Sequence, residues 1–469
     1  MKIVVGSAVL VCLLIANYYR DSTIIDSMKS ILYFGAITFL FVTSAVVGWN
    51  FVFPPKEVFV SQIKGVFPQS SRSAKTKEEL VVEALEKSSR IKGLYMTADV
   101  ANDQGAAATR IRNNLIRIAS TTEINGFVID VKEACGVEYH KENLKKLLGE
   151  LHAKNIWSIA RIVVSSDSSR IEINPDWYIT RKNYKPVGSA CLNKKHLRLK
   201  HPAGKKPDVI FWQDKAGRYW LDPAHPDVQK YIMDFSKEMI DLGFDELQYD
   251  YIRFPSDGDV VNAIYPAWQR DKKISQCNAM RGLFRYLNRN LKDYKPDIIL
   301  SADLFGYASL GIDTGIGQCI ESLEDNFDYV SFMVYPSHYY SGLHLSADPA
   351  RGLPAINYSL SQANANPGTI VYRSLLWARD FFDGKTATST FLSATSTRAT
   401  TTLNMAEVAK RSRIRIRPWL EDFFHGDTSL EKRIKKVRSQ IEAAEKVEQH
   451  GWMLWNASNV YTEGALGRE

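Results

Sequence analysis

Acidic, basic and aromatic side chains recur in short clusters along the body of this chain. They read Asp130-Val-Lys132-Glu133, Arg161, Gln248-Tyr-Asp250-Tyr251-Ile-Arg253, Asp303, Tyr335-Pro-Ser-His338, Arg417-Pro-Trp419-Leu-Glu421-Asp422 and Trp452-Met-Leu-Trp455-Asn456. Burying a carboxylate without a partner is costly, so such groups persist where they are paired or used. Paired carboxylates are what glycosidic cleavage requires: one protonates the leaving oxygen while the other attacks the anomeric carbon or activates water. Tyr251, Trp419 and Trp455 offer flat faces on which a sugar can stack. Plainer readings compete. Asp250 with Arg253, and Asp130 with Lys132, also read as structural ion pairs. Trp452 and Trp455 also read as core, and His338 as a structural hydrogen-bonding residue.

The clusters sit at the ends of apolar, strand-like runs: 93–98, 126–131, 157–164, 246–252, 298–304, 329–334, 414–419 and 452–455. Helical stretches lie between most of them. Lys141–Lys154 carries Leu144, Leu147, Leu148 and Leu151 on one face, and the helix of Val228–Leu242 has Pro226 near its start and Gly243 at its end. Thr76-Lys-Glu-Glu79 and Thr428-Ser-Leu-Glu431 read as capping boxes. Eight strands alternating with helices predict an α/β protein, a (β/α)8 TIM barrel, with the reacting groups at the carboxyl ends of its strands. No GxGxxG follows the first strand, which argues against a doubly wound open sheet. Two insertions interrupt the pattern. Residues 181–206 are basic, and residues 386–402 contain eleven Ser or Thr in seventeen positions.

The chain has 469 residues, 45% hydrophobic and 24% charged, which excludes a disordered polyanion, a collagen-like repeat and a small disulfide scaffold. Its net charge of +8 is local. Residues 181–206 hold nine Lys or Arg and no acid, and without them the balance is −1. Nucleic acid is therefore not an expected partner. The five cysteines at 12, 135, 191, 277 and 319 show neither metal-ligand spacing nor a disulfide framework.

Residues 31–53 run 23 positions without a charge, long enough to span a bilayer, and residues 3–19 form a second candidate span. The expected organisation is a transmembrane anchor over 1–53, a linker over 54–75 and a barrel over 76–469. Lys56, Lys64, Arg72, Lys75 and Lys77 flank the second span, and the positive-inside rule would put the body in the cytoplasm. Cleavage of an envelope glycan requires the opposite side. The expectation adopted is a membrane-anchored, extracytoplasmic body.

From about Lys92 to Leu466 the chain resembles the bacterial family described as the putative glycosyl hydrolase domain. The resemblance rests on Lys92-Gly-Leu-Tyr-Met-Thr-Ala, Phe127-Val-Ile-Asp-Val-Lys, Ile159-Ala-Arg-Ile-Val-Val, the seventeen residues Leu242–Gly258, Ser301-Ala-Asp-Leu-Phe-Gly, Met333-Val-Tyr-Pro-Ser-His-Tyr, Arg417-Pro-Trp-Leu-Glu-Asp-Phe and Gly451-Trp-Met-Leu-Trp-Asn. It implies a barrel related to α-amylase-like glycoside hydrolases. Carried over strand by strand, that pattern implies Asp250 as nucleophile or base, Asp303 as general acid and Asp422 as the third, stabilising carboxylate. Asp303 stands where the pattern has Glu. Asp130, Lys132, Arg161, Tyr251, Arg253, Tyr335, His338, Arg417, Trp419 and Asn456 are then expected to bind substrate or orient the carboxylates. The expected partner is a polysaccharide, anionic if the basic insertion touches it. No cofactor or metal is implied. Two other readings stand beside this one: a non-catalytic glycan-binding scaffold, and an enzyme whose Asp130, Asp250 and Asp303 hold a hard cation.

Overall fold

The computed structural model describes residues 75–181, 191, 210–268, 274–385, 413–424, 426 and 429–467. The proposed spans at 3–19 and 31–53, the insertion at 386–402, and all but Arg181 and Cys191 of the basic insertion up to residue 206 lie outside them. Among the described residues no helix is long and apolar enough to cross a membrane.

Eight strands line up with the eight apolar runs. They are β1 (Ile91–Met96), β2 (Gly126–Glu133), β3 (Trp157–Val163), β4 (Glu246–Asp250), β5 (Ile299–Phe305), β6 (Tyr329–Met333), β7 in two pieces (Arg415–Ile416 and Trp419–Glu421) and β8 (Gly451–Trp455). Each pairs in parallel with the next. Pairing of β8 with β1 closes the ring. This is a closed (β/α)8 barrel, and closure removes the exposed edges an open sheet would leave.

Helices cover the outside. They are α1 (Lys77–Ser88), α2 (Ala98–Asn102), α3 (Ala106–Thr121), α4 (Lys141–Ala153), α5 (Pro226–Leu242), α6 (Gln276–Tyr294), α7 (Leu360–Ala365), α8 (Pro367–Phe382) and α9 (Leu430–Val447). The capping box at Thr76 and Glu79 forms as read, with both reciprocal hydrogen bonds in place. At α9 the described N-cap is Ser429, whose hydroxyl takes the Lys432 amide, and Thr428 of the expected box lies outside the described residues. Pro226 opens α5, and Gly243 closes it at φ 106°, a left-handed position that suits glycine. Between β5 and β6 two 3-10 turns, Gly306–Leu310 and Ile320–Ser322, stand in place of an α-helix.

Strand alternation sorts the side chains. Leu247 and Tyr249 of β4, and Leu300, Ala302 and Leu304 of β5, belong to the large core under the helices. Val128, Ile159, Trp419 and Met453 meet in a second core inside the barrel. At the amino-terminal end of the interior lies a buried polar plug. Arg417 donates to both oxygens of Glu246 at 2.8 and 3.0 Å and to Ser88 O at 2.7 Å, and its guanidinium lies 3.8 Å from the Tyr329 ring centre. Ser301 and Trp157 also donate to Glu246. Arg417 is thus at the opposite end of the barrel from the expected substrate mouth. It precedes Trp419 on β7, so its side chain joins the lower layer of the interior.

The expectation of no disulfide framework is corrected. Cys135 pairs with Cys191, and Cys277 with Cys319, at sequence separations of 56 and 42. Separations of that size carry no local spacing signal, so only the fold brings these thiols together.

Candidate active site

At the carboxyl ends of the strands the barrel opens into a cavity of about 660 Å³. Its floor is built from inward-facing positions of successive strands: Arg161 of β3, Asp250 of β4, Asp303 and Phe305 of β5, Met333 of β6, Trp419 of β7 and Trp455 of β8. The period of two along each strand puts them there, since the adjacent residues Leu304, Phe332, Leu420 and Leu454 pack outward.

One guanidinium organises the acidic side of the floor. Arg161 Nε and Nη2 donate to Asp250 Oδ2 at 3.0 and 2.7 Å. Its Nη1 donates to Asp130 Oδ1 at 2.6 Å and also to Glu133. The Tyr95 hydroxyl donates to the other oxygen of Asp130. With three carboxylates on one cation, Asp130 is pushed above the usual carboxylate range, first by burial and then by Glu133. A hard cation held by Asp130 and Asp250 would need the place the guanidinium takes. The Asp250–Arg253 ion pair of the plainer reading does not form, and Asp250 is paired to Arg161 instead.

Asp250 Oδ1 accepts from the amide of Tyr251 at 2.6 Å. Tyr251 sits at φ 49°, a left-handed conformation that costs a non-glycine residue on the order of 1 kcal/mol. The turn directs that amide onto the carboxylate. Asp303 lies beside Asp250 in a different setting. It is 1% exposed and accepts from Trp419 Nε1 at 2.9 Å. Burial raises its carboxyl well above the usual range, and the charge of Asp250 raises it further; Arg161 and the indole oppose this.

The loop after β5 braces both groups. Gln318 Nε2 donates to Asp303 O and its Oε1 accepts from Phe305 N, while Ile316 O accepts from Phe254 N. Asp313 holds this loop by accepting from the amides of Ile316 and Gln318, and Cys319 ties it to Cys277 at the start of α6. Gly306 lines the cavity where a Cβ would fall 2.7 Å from Met333 O, so the close passage of the two strands requires glycine.

Aromatic rings complete the mouth. Tyr335 stacks on Trp455 with centroids 5.8 Å apart, and Tyr340 stacks on His338 at 5.7 Å. Tyr340 is 71% exposed at the cavity edge.

Of the residues expected here, Asp250, Asp303, Arg161, Tyr251, Arg253, Tyr335, His338 and Trp419 line the cavity. Asp130 stands behind Arg161. Lys132 is fully buried on Asp167 at 2.9 Å and on Val163 O, not at the cavity. Asn456 donates to Asp422 O and accepts from Ser458 N, so both ends of its amide are used in the turn after β8. Asp422 departs most from expectation. Its two oxygens take the Thr462 amide and hydroxyl at 2.6 and 2.7 Å, and it does not line the cavity. The inward carboxylate of β7 is Glu421, two positions after Trp419, and it accepts from the Ser337 amide and hydroxyl. Counting by twos from Trp419 would have selected it. Tyr95 and Tyr340 were missed as well, and Glu133, read in the cluster after the second strand, was given no role. Tyr95 follows from the same alternation in β1, whereas Tyr340 lies on a loop with no periodic signal.

A closed (β/α)8 barrel with carboxylates in two contrasting environments at its carboxyl mouth is an arrangement on which acid–base chemistry can be built. The family model described as the putative glycosyl hydrolase domain matches residues 93–461, and the chain belongs to that family. Solved structures similar to the chain include the glycoside hydrolase domain of PgaB (BpsB) from Bordetella bronchiseptica. It is 11% identical, with 79% of this chain and 94% of that one covered and a TM-score of 0.47. Amy13B of Eubacterium rectale is 9% identical, covering 79% and 66%, with a TM-score of 0.42. A hypothetical protein from Ruminiclostridium thermocellum is 24% identical, covering 45% and 96%, with a TM-score of 0.33. No curated protein matches the chain.

Proposed function

We propose that this protein is a glycoside hydrolase acting on a polysaccharide, with Asp250 and Asp303 as its carboxylate pair. The observation that carries the reading is the contrast between them. Asp250 is paired to a guanidinium and suited to act as nucleophile or base. Asp303, raised by burial, keeps a proton to give to the leaving oxygen. Arg161 orients Asp250, and Trp419 orients Asp303. Tyr335, His338, Tyr340 and Trp455 supply faces for sugar rings. Asp422 is left out of this mechanism because Thr462 occupies both of its oxygens.

The test is a screen of the full chain against neutral and acidic polysaccharides for new reducing ends. Release that is unchanged by a chelator is the expected result. Loss of activity on chelation would favour the hard-cation reading, and glycan binding with no release would favour the scaffold.

The proposal includes a membrane-anchored protein, through residues 3–19 and 31–53, with the body outside the cytoplasm. The Cys135–Cys191 and Cys277–Cys319 pairs support that side, since disulfides persist in oxidising compartments. In spheroplasts with an intact inner membrane, added protease should digest the body. Protection until the membrane is lysed would place the body inside and overturn this assignment.

A further inference from the structure

Arg253 is 5% exposed and lines the cavity that holds Asp250 and Asp303. Three rings surround its guanidinium, with centroids at 5.0 Å for Trp220, 4.8 Å for Tyr251 and 4.6 Å for Phe305. Aromatic faces stabilise a cation but accept none of its in-plane N–H groups. Among the described residues those groups find one acceptor, Phe254 O, which takes Nη1 at 2.9 Å. No carboxylate among those residues lies within ion-pair distance of it; Asp250 is paired to Arg161, and the charges of Asp250, Asp257 and Asp214 act on Arg253 from farther off. The N–H groups that remain are not sealed from the cavity, so their edge reads as a preformed place for an acceptor that arrives with the ligand.

A second cation shares the cavity. Lys215 is exposed on the loop that follows Trp212, and its backbone amide donates to Asp257, whose exposed carboxylate also lines the rim. A planar guanidinium edge matches a carboxylate, which accepts two parallel N–H bonds.

We infer that Arg253, assisted by Lys215, is a subsite for a sugar carboxylate, and that the glycan cleaved here is a polyuronide. The inference rests on the glycoside hydrolase reading and names the substrate class of the same site. Arg253 lies three positions after Asp250 and in the same cavity, so the carboxylate belongs to the sugar being cleaved or to its immediate neighbour. The positive charge that recognises it is built into the barrel rim, independently of the basic insertion.

The experiment measures binding of the full chain by calorimetry. The ligands are oligomers of galacturonate, glucuronate and mannuronate, each beside its carboxyl-reduced neutral counterpart. At least one uronide should bind about tenfold or more tightly than its neutral partner. Arg253→Gln should lower uronide affinity by about 10- to 100-fold while moving neutral binding less, as expected for charge-assisted hydrogen bonds. Lys215→Ala, an exposed substitution, should give a smaller loss that shrinks as salt is raised. The wild-type comparison needs no variant to fold. Binding or cleavage of neutral glycans without a uronide preference would overturn the inference and leave the hydrolase reading intact. Absence of both binding and cleavage on the whole panel would overturn the hydrolase reading together with it.

Discussion

Asp250→Asn removes glycan cleavage, with an expected loss on the order of 10⁴-fold or more, and leaves glycan binding largely in place. The physical reason lies in what the substitution changes. Asn is nearly isosteric and can still accept from the Tyr251 amide through its carbonyl oxygen. It cannot attack an anomeric carbon or take a proton from water at a useful rate. Arg161 stays bound to Asp130 and Glu133, so the floor of the cavity keeps its framework. Initial rates of reducing-end release, together with binding measured on the same preparation, separate this outcome from misfolding. A variant that cleaves at a tenth of the parent rate or better would remove Asp250 from the centre of the mechanism.

Asp303→Asn should do two opposite things. Activity on unactivated polysaccharide falls by about 10²- to 10⁴-fold, the ordinary worth of a positioned general acid. A substrate with a good aryl leaving group needs less protonation and should lose much less. In the parent, the rate should decline as pH rises through the raised pKa of Asp303, because only the protonated carboxyl can donate. That basic limb should vanish in the variant. Stability moves the other way. The Asp303 carboxyl is raised in the folded chain, so the fold binds its proton more tightly than the unfolded chain does. Stability from this group is therefore present at acid pH and is lost as pH climbs from the ordinary carboxylate value to the raised one. The substituted amide carries no charge to bury, so Asp303→Asn should raise the melting temperature, and by more at pH 8 than at pH 4. An unchanged basic limb would show that another group supplies the proton. A lower melting temperature at pH 8 would show that the Trp419 bond outweighs the cost of burial.

Much of the architecture was legible in the residues. The eight apolar runs became the eight strands within a few positions at their ends, because each is long and regular enough for its period to outweigh local noise. The cluster around Asp250 was legible for the same reason: an acidic residue at the end of a buried strand must be either paired or used. The difficulty began at β7. Arg417, Trp419, Glu421 and Asp422 stand within six residues, and a strand only five residues long with a break inside it leaves the facing ambiguous. A shift of one residue turns a side chain from the mouth to the outer shell. The family pattern, carried over by strand, chose Asp422, whereas the inward carboxylate of β7 is Glu421. Height along the barrel was equally hidden. Nothing in the letters distinguishes Arg417, buried at the amino-terminal end on Glu246, from Arg161, buried at the carboxyl end on Asp250.

The sequence by itself determined the class of fold, the identity of most strands and helices, and the supply of carboxylates and rings at the strand ends, since these depend on period and on neighbours close in the chain. The tertiary structure alone decided the partners. Arg161 rather than Arg253 pairs with Asp250 from 89 positions away, Cys135 meets Cys191, and Asp303 is buried against Trp419, 116 positions on. Which charge meets which, and how dry each one is, depends on distances through space. Those distances are set when the barrel closes.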